Sequence, residues 1–419
     1  MRALKSLGSS VITGGGSRRT RYALRRKLRG DASEIPLFRI NEQGQGHEIG
    51  QLSFTYPEGS FLTYKQEFPW PHDQDMSDGW FDSLPYPLFD LRPQGFIGRN
   101  FARAHALDLG VPDDPEAWSD DDVAHVLSVS GFDQPGDLIL GETAYRKFLN
   151  SLKTGGERFL SESEIEPGYI RAAENAMRHG EADSSAGGEF PKFTASRYLG
   201  ARKIDVIVKF SGADNSPAVQ RWSDLLICEH LAALTLSREL HMAAAESAIY
   251  RYAGRTFLEV ERFDRHGDFG RSPVCTLSSI QAALVGIAGI PWSNTAKALQ
   301  NAGWLPATEA NKITLIWWFG RLIANSDMHD GNLAFRPGLT LAPAYDMLPM
   351  AYAPMRGGEV PTREFSPEQS LPAEARVWLQ AAVASISFWE AGASDSRISD
   401  DFRRICDKNS KTLQAMIHL

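Results

Sequence analysis

Asn325-Ser326-Asp327-Met328-His329-Asp330-Gly331-Asn332 decides how this chain is read, together with Ala344-Tyr345-Asp346 a short way downstream. The octapeptide comes after an apolar run, residues 313–324, whose pattern predicts a helix, so it forms the loop at that helix's end. Asp327 and Asn332 have the D-x-x-x-x-N spacing of a phosphoryl-transfer loop. There the Asp accepts the proton of the substrate hydroxyl and the Asn oxygen binds Mg²⁺. Asp346 comes in the right order to be the second metal ligand, whose carboxylate bridges to the ATP phosphates. Such a site needs hard oxygen ligands at fixed separation, because Mg²⁺ takes one or two carboxylates plus phosphate and water. Asp, Asn and Gly are also turn residues, and each could simply cap a loop. The helix before and Asp346 after favour phosphoryl transfer.

The 419 residues are 42% hydrophobic and 23% charged, ordinary values for a globular enzyme of two or three domains. Cys228, Cys275 and Cys406 form neither a CxxC pair nor a zinc spacing. This predicts a reducing, cytoplasmic setting and no structural metal. No apolar stretch is long enough to span a bilayer, and the N-terminus lacks the apolar core of a signal peptide, so no membrane partner is expected. The net charge of −8 conceals an asymmetry, since residues 1–30 hold nine Lys or Arg and no acid. Acids gather later, at Asp113-Asp114, Glu116 and Asp120-Asp121-Asp122. A basic arm on an acidic body points to nucleic acid, here DNA through residues 1–30.

Three segments are expected. In residues 1–33, Arg2–Leu7 reads as a short helix, and residues 11–13 and 20–24 as a hairpin around Gly14-Gly15-Gly16-Ser17. Tyr22 and Leu24 alternate with Arg21 and Arg25, giving one apolar and one cationic face. Helix then basic hairpin is how a winged helix-turn-helix ends, and the earlier helices are missing here. The alternative is a disordered basic tail. Residues 34–150 read as a small β-rich domain, with strand-like pieces at 37–40 and 50–54 and an end near 136–141. Residues 151–419 read as the catalytic domain. It has a buried strand at 205–210, a helix at 223–240, a hairpin at 248–262 turning at Ala253-Gly254-Arg255, and a mostly helical remainder. The fold class expected is α+β.

Lys209 lies in a V-x-K context on the 205–210 strand, where a kinase strand presents its phosphate-binding lysine. Its apolar neighbours favour a buried strand, in which an unpaired Lys would be costly. Glu229, inside the next helix, is positioned to pair with it; the bland alternative is a surface Glu. Ser184-Ser185-Ala186-Gly187-Gly188-Glu189-Phe190-Pro191-Lys192 is a small-residue loop whose N–H groups can approach phosphate, with Lys192 adding a point charge. It is neither a Walker A nor a G-x-G-x-x-G loop, and a surface turn would look similar. Asp268-Phe269-Gly270 is a literal D-F-G, but it precedes Asp327 and is read as a loop.

The succession Ser185-x-Gly187-Gly188…Lys192, V-I-V-K (206–209), V-E-R-F-D-R (260–265), N-S-D-M-H-D-G-N (325–332) and L-A-P-A-Y-D (341–346) resembles the HipA family of toxin Ser/Thr kinases over residues 35–419. The chain most resembles members carrying their own N-terminal winged-helix segment beside, or in place of, a HipB-like antitoxin. The resemblance implies a kinase-like two-lobed domain with a helical C-lobe, a β-rich N-terminal domain and a remnant wing. It also implies an ATP- and Mg²⁺-dependent protein kinase that phosphorylates a cellular protein, such as an aminoacyl-tRNA synthetase, to inhibit growth. By it, Asp327 is the general base, His329 a neighbouring active-site residue, and Asn332 and Asp346 the Mg²⁺ ligands. Lys209 binds ATP phosphate, Glu261 and Phe263 line the adenine hinge, and autophosphorylation of Ser185 ejects the loop containing Gly187 and Gly188. The chain departs from relatives at Phe190, where Gln is common. Two competing readings are a DNA-binding regulator that uses a kinase fold for assembly or nucleotide sensing, and a metal-dependent nuclease.

Overall fold

The computed structural model describes residues 8–153, 159–179, 189–287 and 289–417. Two compact units emerge: Met1–Arg158 with Asp264–Gly286 and Arg336–Leu339, and Phe159–Phe263 with Ile287–Phe335 and Thr340–Leu419. The expected N-terminal helix, Arg2–Leu7, lies outside the described residues.

The first unit is built on an antiparallel sheet of β1 (Val11–Gly14), β2 (Arg21–Arg26), β3 (Ile35–Ile40), β4 (Gly46–Thr55), β5 (Ser60–Tyr64), β6 (Trp80–Phe81) and β7 (Leu138–Leu140). The expected hairpin is present, with Val11 opposite Leu24, and β2 continues into the sheet by pairing Arg25 with Thr55. Helices α1 (Gly95–Leu109), α2 (Asp120–Ser130) and α3 (Glu142–Lys153) belong to the unit, as do shorter helices at Gln74–Ser77 and Leu277–Leu284. The apolar side of α3 buries Ala144 and Phe148 against Phe38, Ile40 and Ile139. The cationic side of β2 is turned onto this body. Arg21 pairs with Asp75 at 2.9 Å, Arg25 with Glu34 at 3.0 Å, and Arg29 with Asp122 at 2.7 Å. Arg26 pairs with Asp121 and Arg19 with Asp78. Tyr22 and Leu24 are each 48% exposed. Among the described residues, five of the nine cations of residues 1–30 are thus paired with acids that follow them in the chain.

Residues 264–286 also belong to this unit. The Asp264 carboxylate accepts from Gly136 N at 2.8 Å, and Asp90 accepts from Thr276 and Ser279. Asp268 of the D-F-G sits in a turn here, and the neighbouring Phe269 ring meets Phe148 edge-on. Its place in the first unit agrees with its reading as a loop residue.

The second unit opens with α4 (Ile165–His179) and an antiparallel sheet in the order β10-β11-β9-β8. These strands are β8 (Lys192–Leu199), β9 (Arg202–Phe210), β10 (Ser247–Tyr252) and β11 (Arg255–Glu261). Alternation on β9 sends Val206, Val208 and Phe210 into a core with Tyr169 and Phe257, so Lys209 points to the opposite face. A two-residue turn joins β10 to β11, with Ala253 and Gly254 both at positive φ, the conformation that suits a tight hairpin. Helix α5 (Pro217–Glu239) is longer than its apolar pattern suggested. Ser216 caps it by accepting from Val219 N, and Pro217 occupies the first turn, where no N–H is needed.

Four helices dominate the rest, α6 (Trp292–Asn301), α7 (Ala307–Leu322), α8 (Ala375–Ser394) and α9 (Asp400–Ile417), and the stretch between α7 and α8 is mostly irregular. Phe319 of α7 meets Phe388 of α8 edge-on, and Trp389 donates to the Leu322 carbonyl at 3.1 Å. Asp224 of α5 accepts from Ser399, just before α9, at 2.6 Å. These contacts fix the end of α7, where the polar octapeptide begins. No described helix is long and apolar enough to cross a membrane. The three cysteines are free, buried thiols.

Candidate active site

Lys209 meets Glu229 of α5 at 2.7 and 2.9 Å, and it also donates to the Asp346 carboxylate. The side chains of Lys209 and Glu229 are each 7% exposed, whereas Asp346 keeps 29%. Burial works against the Lys209 charge, but Asp346 and Glu229 more than offset it and hold the ammonium above its usual range. Burial pushes the Glu229 carboxyl up to about 7 against the pull of Lys209. Asp346 feels the same burial, yet Lys209 and then Lys192 lower it to about 2. One ammonium thus keeps the solvent-facing acid ionised. Asp346 also has φ 55°, a left-handed conformation that a β-carbon disfavours and that concentrates at functional sites.

Helix α7 stops with Ala324 at φ 60°, and Asn325 N donates back to Gly320 O at 2.9 Å. Gly320 leaves room for two methionines from beyond the helix: a β-carbon there would lie 2.5 Å from the end of Met328 and 2.9 Å from Met347. The Asp327 backbone is held on both sides. Its N–H donates to Asn325 Oδ1 at 3.0 Å, and its carbonyl accepts from Asn332 Nδ2 at 2.9 Å. The Asp327 residue itself is exposed, while Asn332 is buried. Using the Asn332 N–H₂ internally leaves its amide oxygen as the acceptor. His329 is exposed, and its Nδ1 accepts from Gly331 N at 3.1 Å.

Asn325 is a residue to which the sequence alone assigned no role. Besides holding Asp327, it donates through Nδ2 to the Asp346 carbonyl at 3.3 Å. Only the N-x-D spacing hinted at this, since an Asn side chain readily accepts from the N–H two residues on. Tyr345 likewise carried no sequence signal of a role. Its hydroxyl donates to Gly331 O at 2.7 Å, and its ring lies 5.9 Å from Phe263.

The remaining expected residues divide. Lys192 lies opposite Lys209 on β8, pairs with Glu189 at 2.8 Å, and adds to the positive field at Asp346. Phe263 reaches the Asp346 segment through Tyr345. At the end of β11, both Glu261 oxygens take Arg202 at 3.1 Å. Ser185, Gly187 and Gly188 lie outside the described residues. Phe190, the departure from the family pattern, is buried against Trp222 of α5 with ring centroids 4.7 Å apart.

Known proteins match both parts of the chain. A family model described as the HipA-like C-terminal domain matches residues 184–414, and one described as the middle domain of a YjjJ-like toxin matches residues 31–149. Toxin YjjJ of Escherichia coli (strain K12) is 36% identical over 402 residues, covering 95% of this chain and 88% of that protein. Among solved structures, HipA of Shewanella oneidensis MR-1, in complex with HipB and its operator DNA, superposes with a TM-score of 0.52. It does so at 13% identity, over 90% of this chain and 96% of that one.

Proposed function

The chain belongs to the HipA-like family, and from that premise we propose that it is an ATP- and Mg²⁺-dependent protein Ser/Thr kinase acting as a growth-inhibiting toxin. The observation carrying this reading is the direct bonding of Lys209, Glu229 and Asp346, linked through Asn325 to Asp327 and on to Asn332. Lys209 and Glu229 are superfluous to a nuclease. They suit a site in which a lysine held by a helix glutamate meets nucleotide phosphate.

Mg²⁺ fits the donors present. Asn332 offers an amide oxygen and Asp346 an ionised carboxylate, both hard ligands. Among the described residues no three His, Cys, Asp or Glu side chains gather to hold a metal unaided. That is the donor set for an ion completed by phosphate and water. When bound, Mg²⁺ neutralises phosphate charge during transfer. The protein's own part is positional and acid–base. Lys209 binds phosphate, and Asp327, clamped at its backbone and exposed at its side chain, takes the proton of the attacking hydroxyl. Phe263 lines the nucleotide base. His329 stands beside Asp327 with Nδ1 already engaged, so Nε2 is left to face substrate.

The substrate on this reading is a protein hydroxyl, in the family manner that of a protein such as an aminoacyl-tRNA synthetase. A HipB-like antitoxin and DNA are proposed partners, by analogy with the Shewanella complex. Autophosphorylation at Ser185 is the proposed control. The test is transfer from γ-labelled ATP to protein, with Asp327→Asn as the control. The substitution should reduce turnover by about 10²–10⁴-fold while ATP still binds. Near wild-type single-turnover rates in Asp327→Asn would refute the base assignment.

A further inference from the structure

We propose that Asn325 is a positioning residue that sets the spacing between Asp327 and Asp346, with Tyr345 as the second tether of the same brace. The inference rests on the phosphotransfer reading and adds how its parts are kept in register. Asn325 is 2% exposed, and both ends of its amide are used: Oδ1 accepts from Asp327 N at 3.0 Å, and Nδ2 donates to Asp346 O at 3.3 Å. One planar group therefore joins the backbone of the proposed base to the backbone of a proposed metal ligand. An amide of this length offers an acceptor on one side and a donor on the other, whereas an ionised Asp lacks the donor, Ser lacks the span and Leu lacks both groups. Tyr345 closes the other side, since its hydroxyl donates to Gly331 O at 2.7 Å, next to Asn332. The two oxygen donors, Asn332 and Asp346, thus sit on segments joined at both ends, and Asp346 is held in a left-handed backbone conformation it would not otherwise favour. Neither Asn325 nor Tyr345 is required to touch nucleotide, metal or substrate.

The brace predicts a defect specific to the metal. With the full chain, ATP affinity is measured by equilibrium titration in Mg²⁺ and again in EDTA, alongside single-turnover transfer. Asn325→Ala should keep its EDTA affinity within about twofold and lose most of the Mg²⁺-dependent gain, about tenfold, with a drop in turnover of similar size. Asn325→Ser retains an acceptor for Asp327 N but cannot reach Asp346. It should lose the Mg²⁺ gain while recovering most of the turnover at saturating Mg²⁺. Tyr345→Phe should lose a smaller part of the gain, about threefold. If Asn325→Ala fails to fold, the other two variants carry the test. A wild-type Mg²⁺ gain preserved within about twofold in all folded variants overturns the brace and leaves the kinase reading standing. A wild-type chain with no Mg²⁺ gain overturns both.

Discussion

Replacing Lys209 by Met removes one charge and keeps an unbranched apolar stem, so it isolates what the ion triad contributes. Glu229 is 7% exposed in its side chain and cannot be rehydrated, whereas Asp346, at 29%, can be in part. Removing one partner of a buried pair costs about 3–5 kcal/mol, and partial hydration of Asp346 places this case near the lower figure, about 3 kcal/mol. The loss should depend on pH. A carboxyl whose folded-state pKa is raised stabilises the fold fully below its ordinary 4.5, and that contribution is lost as pH climbs through about 7. Without Lys209 the loss continues to higher pH, because nothing then offsets the burial of the ionised Glu229. Urea unfolding at about pH 5 and about pH 8 should therefore show the deficit widening with pH. Lys209→Met with Glu229→Met should recover much of the loss, since only the partly exposed Asp346 then keeps a charge. A single-variant deficit below about 1 kcal/mol, or one that does not change with pH, would refute the reasoning.

Gly320→Ala gains about 1 kcal/mol of helix propensity but drives a methyl into Met328 and Met347, an overpacking cost of about 1–3 kcal/mol. Turnover should fall about 10- to 100-fold, and adding Met328→Ala should restore much of it; an active, more stable Gly320→Ala would show that the loop does not need this close approach. Phosphate is expected on Ser185 when the active chain is incubated with ATP, and its added charge of about −1.5 to −2 should weaken ATP binding; mass spectrometry finding that loop unmodified in an active preparation would end the idea. Because the hairpin arginines are paired internally, duplex DNA binding should fall with salt at a log–log slope no steeper than about −2, the release expected from about two phosphates. A slope near about −4 would mean that the ion pairs to Asp75, Glu34 and Asp122 open on DNA.

Local information carried a good deal of this protein. The apolar run around Lys209 marked a buried strand carrying one lysine, and the strand's period of two then puts that lysine on the face opposite Val206, Val208 and Phe210. The Asp327–Asn332 spacing marked a loop of the phosphoryl-transfer kind; that the Asn332 amide also closes on the Asp327 carbonyl is a finding of the structure. The Lys209–Glu229 pair was open in the sequence, where Glu229 could equally have been a surface residue, and the contact at 2.7 and 2.9 Å decides it. Long-range geometry decided the rest. Nothing local says that Asp346 takes a left-handed turn onto the Asn325 amide, or that Gly320 is small so that two methionines can pass. The basic arm shows this most plainly. Its cations are separated in sequence from Asp75, Asp78, Asp121 and Asp122, and only a sheet that brings β2 alongside β4 puts those charges within reach. Sequence alone fixes which groups can interact over a few residues; which distant charges cancel is settled by the packing that brings them together.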